Sequence, residues 1–374
     1  MKIEGAWIEA EGVQRVLHLL TEAGHQGLLV GGCVRNALLH QPVADIDIAT
    51  DAVPERVMAL AKAVGLKVVP TGIEHGTVTI VVAGEPHEVT TFRRDVETHG
   101  RHATVAFATR VEEDAARRDF TMNALYADAG GHVVDPLGGL PDLEARRVRF
   151  VGDAGARIRE DYLRILRFFR FHAWYGDPKA GMDAAALAAC AANSGGTETL
   201  SRERIGHEMR RLLAAPDPAP AVAAMWATGV LGHVLPGTDP RALAPLVHLE
   251  PPYAPDWLRR LAALGGPDPT EALRLSRDEA RKLAVLSDGI GGMAGPAELA
   301  YRHGAALARD VLLLRAAVLE APLPGGWEAA VAQGAGAKFP LRAGDLMPGL
   351  SGSELGARLK ELEARWIASG FELS

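Results

Sequence analysis

The chain has 374 residues, 48% of them hydrophobic, and a formal net charge of −7. That length exceeds what one hydrophobic core usually serves and predicts two or three domains. The acidic balance excludes indiscriminate binding to polyanions while leaving room for a local basic groove. Cys33 and Cys190, the only cysteines, exclude a disulfide framework and a cysteine-rich zinc site and fit a reducing cytoplasm. The acids within MKIEGAWIEAEGVQRVL argue against a signal peptide, and no stretch is long and apolar enough to span a bilayer.

In chain order, residues from about 6 to 23 carry Val13, Val16, Leu17 and Leu20 at helical spacing and predict a packing helix. The stretch LLVGGCVRNALLHQPVADIDIAT, residues 28–50, reads as an apolar strand, a two-glycine turn, a helix and a second strand carrying Asp45 and Asp47. Residues 54–64 read as a helix with Pro54 in its first turn, and residues 67–70, 77–82 and 87–92 as strands joined at Gly72, Gly76 and Gly84. Short glycine turns between strands favour a mixed sheet. Residues 93–105 are polar and read as a loop, 112–127 as a helix containing ARRDFTMNALYA, and Gly130-Gly131 as a hairpin turn. Asp135-Pro136-Leu137-Gly138-Gly139 reads as a structural turn. From Asp153 strand signals fade, and helices are expected near 156–175, 183–193, 201–215 and 218–230, with helical sequence beyond Pro236. The composition shift near Leu143 divides a mixed α/β part from an all-α part.

Three clusters point to chemistry. In GGCVRN, Gly31 and Gly32 permit close backbone approach to a phosphate, the helix N-terminus offers unpaired N–H groups, and Arg35 adds a bidentate donor. Alone, a glycine pair is a weak signal, and the spacing lacks the dinucleotide fingerprint, so a Rossmann dehydrogenase has little support. Asp45 and Asp47 alternate on a strand and so share a face, where two carboxylates can hold hard Mg²⁺ ions for an in-line phosphoryl displacement. Glu88 is the candidate third carboxylate, and in Arg117-Arg118-Asp119 one of the two arginines is a candidate contact to triphosphate or ribose. In EDYLRILRFFR, residues 160–170, Tyr162, Ile165, Leu166 and Phe169 form an apolar stripe, and Asp161, Arg164, Arg167 and Arg170 a charged ridge. Arg167 and Arg170 have no acidic partner three or four positions away on that helix, so the ridge is expected to line a groove. A carboxylate that only accepts beside a guanidinium that only donates matches the pairing edges of cytosine and adenine and opposes those of guanine and uracil. The histidines are scattered, without H-E-x-x-H or a His-Asp pair.

The strings LLVGGCVRNALL, DIDIAT, HGTVTI, HEVTTFRRD, RRDFTMNALYAD, DPLGGLPDL, RVRFVGD, RIREDYLRILRFFRF and LSRERIGHEMRRLL run in order over residues 28–235. Together they resemble the class II tRNA nucleotidyltransferase and poly(A) polymerase family, its bacterial CCA-adding members most closely. The resemblance implies an α+β chain: a polymerase-beta-like head with a mixed sheet over residues 1–143, then an all-α neck over 144–235 and a helical body and tail over 236–374. It implies template-independent addition of CCA to the tRNA 3′ end from CTP and ATP, with Mg²⁺ on Asp45 and Asp47, Gly32 and Arg35 touching nucleotide, Arg118 at the sugar-triphosphate, and Asp161, Arg164, Arg167 and Arg170 reading the base and holding phosphate. Two departures stand out: Asn36 replaces the usual Asp of GGxVRD, and His99-Gly100-Arg101 replaces Asp-Gly-Arg in a loop that the family links to the switch from C to A addition. The rivals are a poly(A) polymerase, which commonly carries a basic C-terminal extension where this sequence ends RWIASGFELS, a partial CC- or A-adding enzyme, and a non-catalytic RNA-binding relative.

Overall fold

Gly27–Val30 forms strand β1 and is buried along its whole length, as a central strand covered on both faces must be. In this computed structural model, which describes residues 1–99, 102–347, 349–350 and 352–372, the strands after β1 are β2 (Asp47–Thr50), β3 (Lys67–Gly72), β4 (Thr77–Val82), β5 (Glu85–Thr91), β6 (Arg93–His99), β7 (His102–Phe107), β8 (Tyr126–Ala127) and β9 (Val133–Val134). Seven of them make one sheet in the order β3-β4-β5-β2-β1-β8-β9, and β6 pairs with β7 in a separate ribbon. Within the sheet β2 and β5 run parallel and the other neighbours antiparallel, the mixed sheet that the glycine turns predict.

Two helices, α1 (Ala6–Glu9) and α2 (Glu11–Glu22), stand where one was expected, because Ala10 turns extended (ψ 132°) between them. The apolar stripe of α2 behaves as its spacing requires: Val13, Val16, Leu17 and Leu20 are all buried. It packs against β1, β4 and β5, beside helix α4 (Pro54–Ala63), while helix α3 (Gly32–Leu38) starts at the glycine turn. The opposite core joins Leu28, Val30, Ala49, Phe92, Ala108, Ala115 and Tyr126.

Two local expectations fail. Residues 93–105 are not a loop, since β6 and β7 pair from Arg93–Phe107 out to His99–His102. The β-branched residues Val96, Thr98, Thr104 and Val105 suit a two-stranded ladder, and the surrounding charge masks them in the sequence. Gly100 and Arg101 of the His-Gly-Arg string lie outside the described residues. The helix expected over 112–127 ends early: α5 covers only Val111–Ala116. Thr121 N–H donates to the Arg149 carbonyl (3.0 Å) and Val151 N–H to the Asp119 carbonyl (3.0 Å), and these bonds draw Phe120 out of helix into an extended bridge with Phe150. The hairpin at Gly130-Gly131 forms as β8–β9.

After α6 (Leu140–Glu144) come α7 (Ala154–Glu160), α8 (Leu163–Tyr175), α9 (Ala184–Ala192) and α10 (Arg202–Leu213), with helices onward to Ala368 and, among the described residues, no strand after β9. The helix expected over 156–175 is broken at Asp161, which is extended (φ −153°, ψ 106°). The chain separates into two compact units, Met1–Leu200 with Thr228–His233, and Ser201–Ala227 with Val234–Ser374. Inside the second unit, Arg259 and Arg260 are each 1% exposed and share Glu250; Arg259 also holds Asp310, and Arg260 caps the Leu213 and Ala215 carbonyls. Buried guanidiniums survive there because every charge is paired. No described helix is long and apolar enough to cross a membrane.

Candidate active site

Gly31 carries the turn from β1 into α3 at φ 71°, a conformation that favours glycine. A Cβ on Gly31 would stand 3.4 Å from Arg118 Nη1, and one on Gly32 would stand 3.9 Å from Arg35 Nη2, so the turn brings backbone and two guanidiniums to one place. Arg35 is only 6% exposed. Its Nε and Nη2 donate to Asn36 Oδ1 (3.1 and 2.8 Å), Nη1 to Asn123 Oδ1 (2.5 Å) and Nη2 to the Tyr175 hydroxyl (2.9 Å), with the guanidinium stacked 4.0 Å from the Tyr175 ring centroid. Every hydrogen-bonding partner is neutral, and burial lowers the pKa of the guanidinium, which nearby Arg170 lowers further, against the support of Tyr175 and Asp119. Asn36 also donates Nδ2 to the Pro42 carbonyl (2.9 Å), a bond an ionised Asp cannot make. The amide therefore both orients Arg35 and anchors the segment leading to Asp45.

β2 begins at Asp47, so Asp45 lies in the lead-in rather than in the strand. Asp47 stands in register with Val30 on one side and with Glu88 on the parallel neighbour β5 on the other. Its pKa is raised, first by burial and then by Glu88 and Asp45, while Arg118 pulls it down. Among the described residues none of the three carboxylates has a side-chain hydrogen bond or ion pair within the protein. They do not close on one point either: no group of three His, Cys, Asp or Glu is placed to hold a metal ion among the described residues. As an all-oxygen donor set whose like charges repel, Asp45 and Asp47 fit a hard divalent cation.

Arg118 is set from behind. Asp114, 1% exposed, accepts from its Nε (3.2 Å) and Nη2 (2.9 Å), and the Tyr126 hydroxyl accepts from Nε (3.0 Å) while donating to Asp114 (2.7 Å). Burial would raise the Asp114 pKa, but Arg118 and Arg117 outweigh it and hold the carboxyl well below the usual carboxylate range. Arg118 loses little by burial for the same reason, its pKa being raised by Asp114.

The following segment reaches α8. Phe120 packs on Phe150 and Phe171 (ring centroids 5.0 Å apart in both cases) and Phe168 (6.5 Å). Arg157 donates to the Arg117 and Arg118 carbonyls, Arg164 to the Arg117 carbonyl (3.4 Å), the Arg157 carbonyl (2.7 Å) and the Glu160 carboxylate. Arg167 grips Asp119 through Nε (2.7 Å) and Nη2 (2.5 Å). Asp119 in turn accepts from Asn123 Nδ2 (2.9 Å), so a ring of contacts runs from Arg167 through Asp119, Asn123 and Arg35 to Tyr175, starting and ending on α8. Arg170 does not line a groove: it is 3% exposed and stacks on Phe171 (4.6 Å). Asp161 sits in the helix break and accepts from the Leu163 N–H (3.1 Å).

The structure thus gathers Gly31, Gly32, Arg35 and Arg118, sets Asp47 beside Glu88, and hangs Arg164 and Arg167 on residues 117–119. Sequence reading missed Asp114, Tyr126 and Tyr175. Asp114 lies three and four residues before Arg117 and Arg118, a spacing that signals ion pairs on a helix; nothing in the sequence ties Tyr175 to Arg35.

Residues 28–149 match the Poly A polymerase head domain, and residues 181–241 the probable RNA and SrmB-binding site of polymerase A. The chain belongs to the tRNA nucleotidyltransferase and poly(A) polymerase family. It is 40% identical over 254 residues to the CCA-adding enzyme of Geobacillus thermodenitrificans, covering 67% of this chain and 58% of that protein. It is likewise 40% identical over 204 residues to human mitochondrial CCA tRNA nucleotidyltransferase 1, covering 54% and 47%. The matches thus span about half the length of these curated relatives. In structure the family member aligns with the Bacillus stearothermophilus CCA-adding enzyme in complex with CTP at a TM-score of 0.75 and 29% identity, over 95% of this chain and 92% of that one. Its fold also matches the Thermotoga maritima CCA-adding enzyme complexed with tRNA, at a TM-score of 0.66 and 18% identity.

Proposed function

We propose that the chain is a CCA tRNA nucleotidyltransferase, adding or repairing CCA at the tRNA 3′ end from CTP and ATP with release of pyrophosphate. The observation that carries this reading is the meeting of the Gly31–Arg35–Arg118 cradle with Asp47 at one end of the sheet. Relatives named as CCA-adding enzymes support it. The two buried free cysteines fit action in the cytoplasm.

In this reading Gly31 and Gly32 let the triphosphate approach backbone, and Arg35 and Arg118 offset its charge from fixed positions, so little reorganisation is needed as charge shifts during transfer. Asp45 and Asp47 would hold Mg²⁺, with Glu88 as a further carboxylate beside Asp47. When bound, the cation supplies activation of the attacking 3′-hydroxyl and charge neutralisation on the phosphates. Asp161 and Arg164 read the pairing edge of cytosine or adenine, and Arg167 and Arg170 contribute positive charge behind them. The head over 1–143 transfers, the neck over 144–235 selects, and residues 236–374 hold tRNA through shape and a local basic surface.

A poly(A) polymerase on the same scaffold is the second reading, favoured by the head-domain match. One experiment separates them: incubation with Mg²⁺ and tRNA lacking CCA, tRNA ending in CC, or unstructured RNA, with CTP and ATP supplied singly and together. Two C and one A on tRNA, then arrest, is the expected result. A long A tract on any RNA defeats the reading, and one or two nucleotides of a single kind reduce it to a partial activity.

A further inference from the structure

Asp114 is a buried carboxylate that the chemistry above does not use directly. Its two oxygens collect donors from three directions. Oδ1 takes Arg117 Nε (2.9 Å) and the backbone N–H of Arg93 (3.2 Å), the first residue of β6. Oδ2 takes Arg118 Nε and Nη2 and the Tyr126 hydroxyl. All the bonds Arg118 makes leave from Nε and Nη2; among the described residues Nη1 has no hydrogen-bond partner, and it is the nitrogen that overlies Gly31. The rear of the guanidinium is therefore locked and its front left open over the turn. The same carboxylate fixes the base of the ribbon, where Arg93 Nη1 also holds the His75 carbonyl (2.8 Å) and Phe107 packs against Gly76.

We propose that Asp114 is the positioning residue that aims Arg118 at the nucleoside triphosphate and couples that aim to the β6–β7 ribbon. The assignment rests on the nucleotide-binding role given to Arg118 above. Asp114 touches no substrate: it acts by holding one guanidinium edge, so that the other meets phosphate without a search among rotamers. A ribbon that moves relative to the sheet pulls on the Arg93 N–H and hence on the carboxylate that aims Arg118. A merely structural Asp114 predicts loss of stability with no dependence on Arg118.

The test is equilibrium binding of CTP to the full chain, with thermal unfolding as the control for folding. Asp114→Asn is expected to weaken CTP about ten-fold, the scale of one charge-assisted contact, and to change CTP affinity less than about two-fold in an Arg118→Ala background, where the partner is already gone. Tyr126→Phe, which removes one hydroxyl and keeps the ring and the Asp114 charge, is expected to weaken CTP about three-fold, less than the loss of the carboxylate charge, with the chain still folded in thermal unfolding. It keeps the question answerable if Asp114→Asn does not fold. CTP should also slow hydrogen exchange at the Arg93 amide in the wild-type chain and leave it unchanged in Arg118→Ala. Equal losses in both backgrounds, unaltered CTP binding by Tyr126→Phe, or an Arg93 amide indifferent to CTP would each overturn the proposal. Binding needs no turnover, so a wild-type chain that binds CTP yet extends no tRNA sinks the proposed function and leaves this inference standing.

Discussion

Asp119→Asn is expected to destabilise the first unit by about 2 kcal/mol at pH 7. Asp119 accepts from Arg167 (2.7 and 2.5 Å), Asn123 Nδ2 (2.9 Å) and the Phe120 N–H (2.8 Å). Burial opposes its charge, but Arg167 and then these bonds prevail and bring its pKa from 3.8 to about 2. A depressed carboxylate pKa means that the unfolded chain takes up a proton first as the pH falls. The stabilisation is thus full above the unfolded value of 3.8 and is lost as the pH falls through the folded value of about 2. That difference is worth about 2 kcal/mol at pH 7 and about half as much at pH 3. Solvent removes little of it, since the Asp119 side chain is 10% exposed and that of Arg167 30%. Asn keeps the shape and one acceptor, so the substitution removes the charge and turns the oxygen that faces Arg167 or Asn123 into a donor; the figure of about 2 kcal/mol covers the charge alone. Urea unfolding followed by circular dichroism at pH 7 and pH 3 reads both numbers. Equal midpoints for variant and wild type at pH 7, or a gap as wide at pH 3 as at pH 7, would refute the reasoning.

If Asp47 holds the cation as proposed, Asp47→Asn should lower CTP incorporation by more than about 10³-fold, yet leave stability equal or raised, because the Asp47 charge is opposed by burial and by Glu88; a marked fall in unfolding temperature contradicts this. Replacing Asp161 and Arg164 so that their donor and acceptor characters are exchanged should admit UTP or GTP in single-nucleotide incorporation assays, and unchanged selectivity for CTP and ATP counts against the base-reading role. His87 is buried with Nε2 against Gly12 and without a hydrogen-bond partner among the described residues, and burial lowers its pKa despite Glu85. Its neutral form supports the fold fully above the unfolded value of 6.5, and stability should fall as the pH drops below it; the slope between pH 6.5 and 5 should flatten in His87→Leu. Binding of tRNA to this acidic chain should weaken steeply with salt, measured as the slope of log affinity against log salt, and a flat slope removes the electrostatic groove.

Much of the head was legible because its signals are local. The stripe on α2, the glycine turn before α3 and the Gly130-Gly131 hairpin each follow from a period or a turn preference that neighbours reinforce. The failures have tertiary causes. Residues 117–127 carry helix-forming residues, but the bridge to Arg149 and Val151 and the ring cluster around Phe120 outweigh that propensity. The ribbon was hidden because a two-stranded ladder needs no apolar alternation when its backbone bonds are satisfied pairwise. The angle of Arg170 around the helix puts it on a charged ridge, and that angle does not reveal the stacking on Phe171 or the protein that covers it. Tyr175 was invisible for a simpler reason: its partner Arg35 lies 140 residues away.

The ring from Arg167 through Asp119, Asn123 and Arg35 to Tyr175 has a consequence for how this protein can change over generations. Asp119, Asn123 and Arg35 each hold two other members, so a substitution at one of them strands a buried group at the next and weakens the hold on α8. Single replacements are expected to be disfavoured where paired ones are tolerated, because coupled side chains do not contribute independently. Asn36 stands just outside the ring, holding only Arg35 and a loop carbonyl. An acid there would keep the grip on Arg35 but lose the donor to the Pro42 carbonyl, so exchange at this position is felt in the segment leading to Asp45 rather than in the ring.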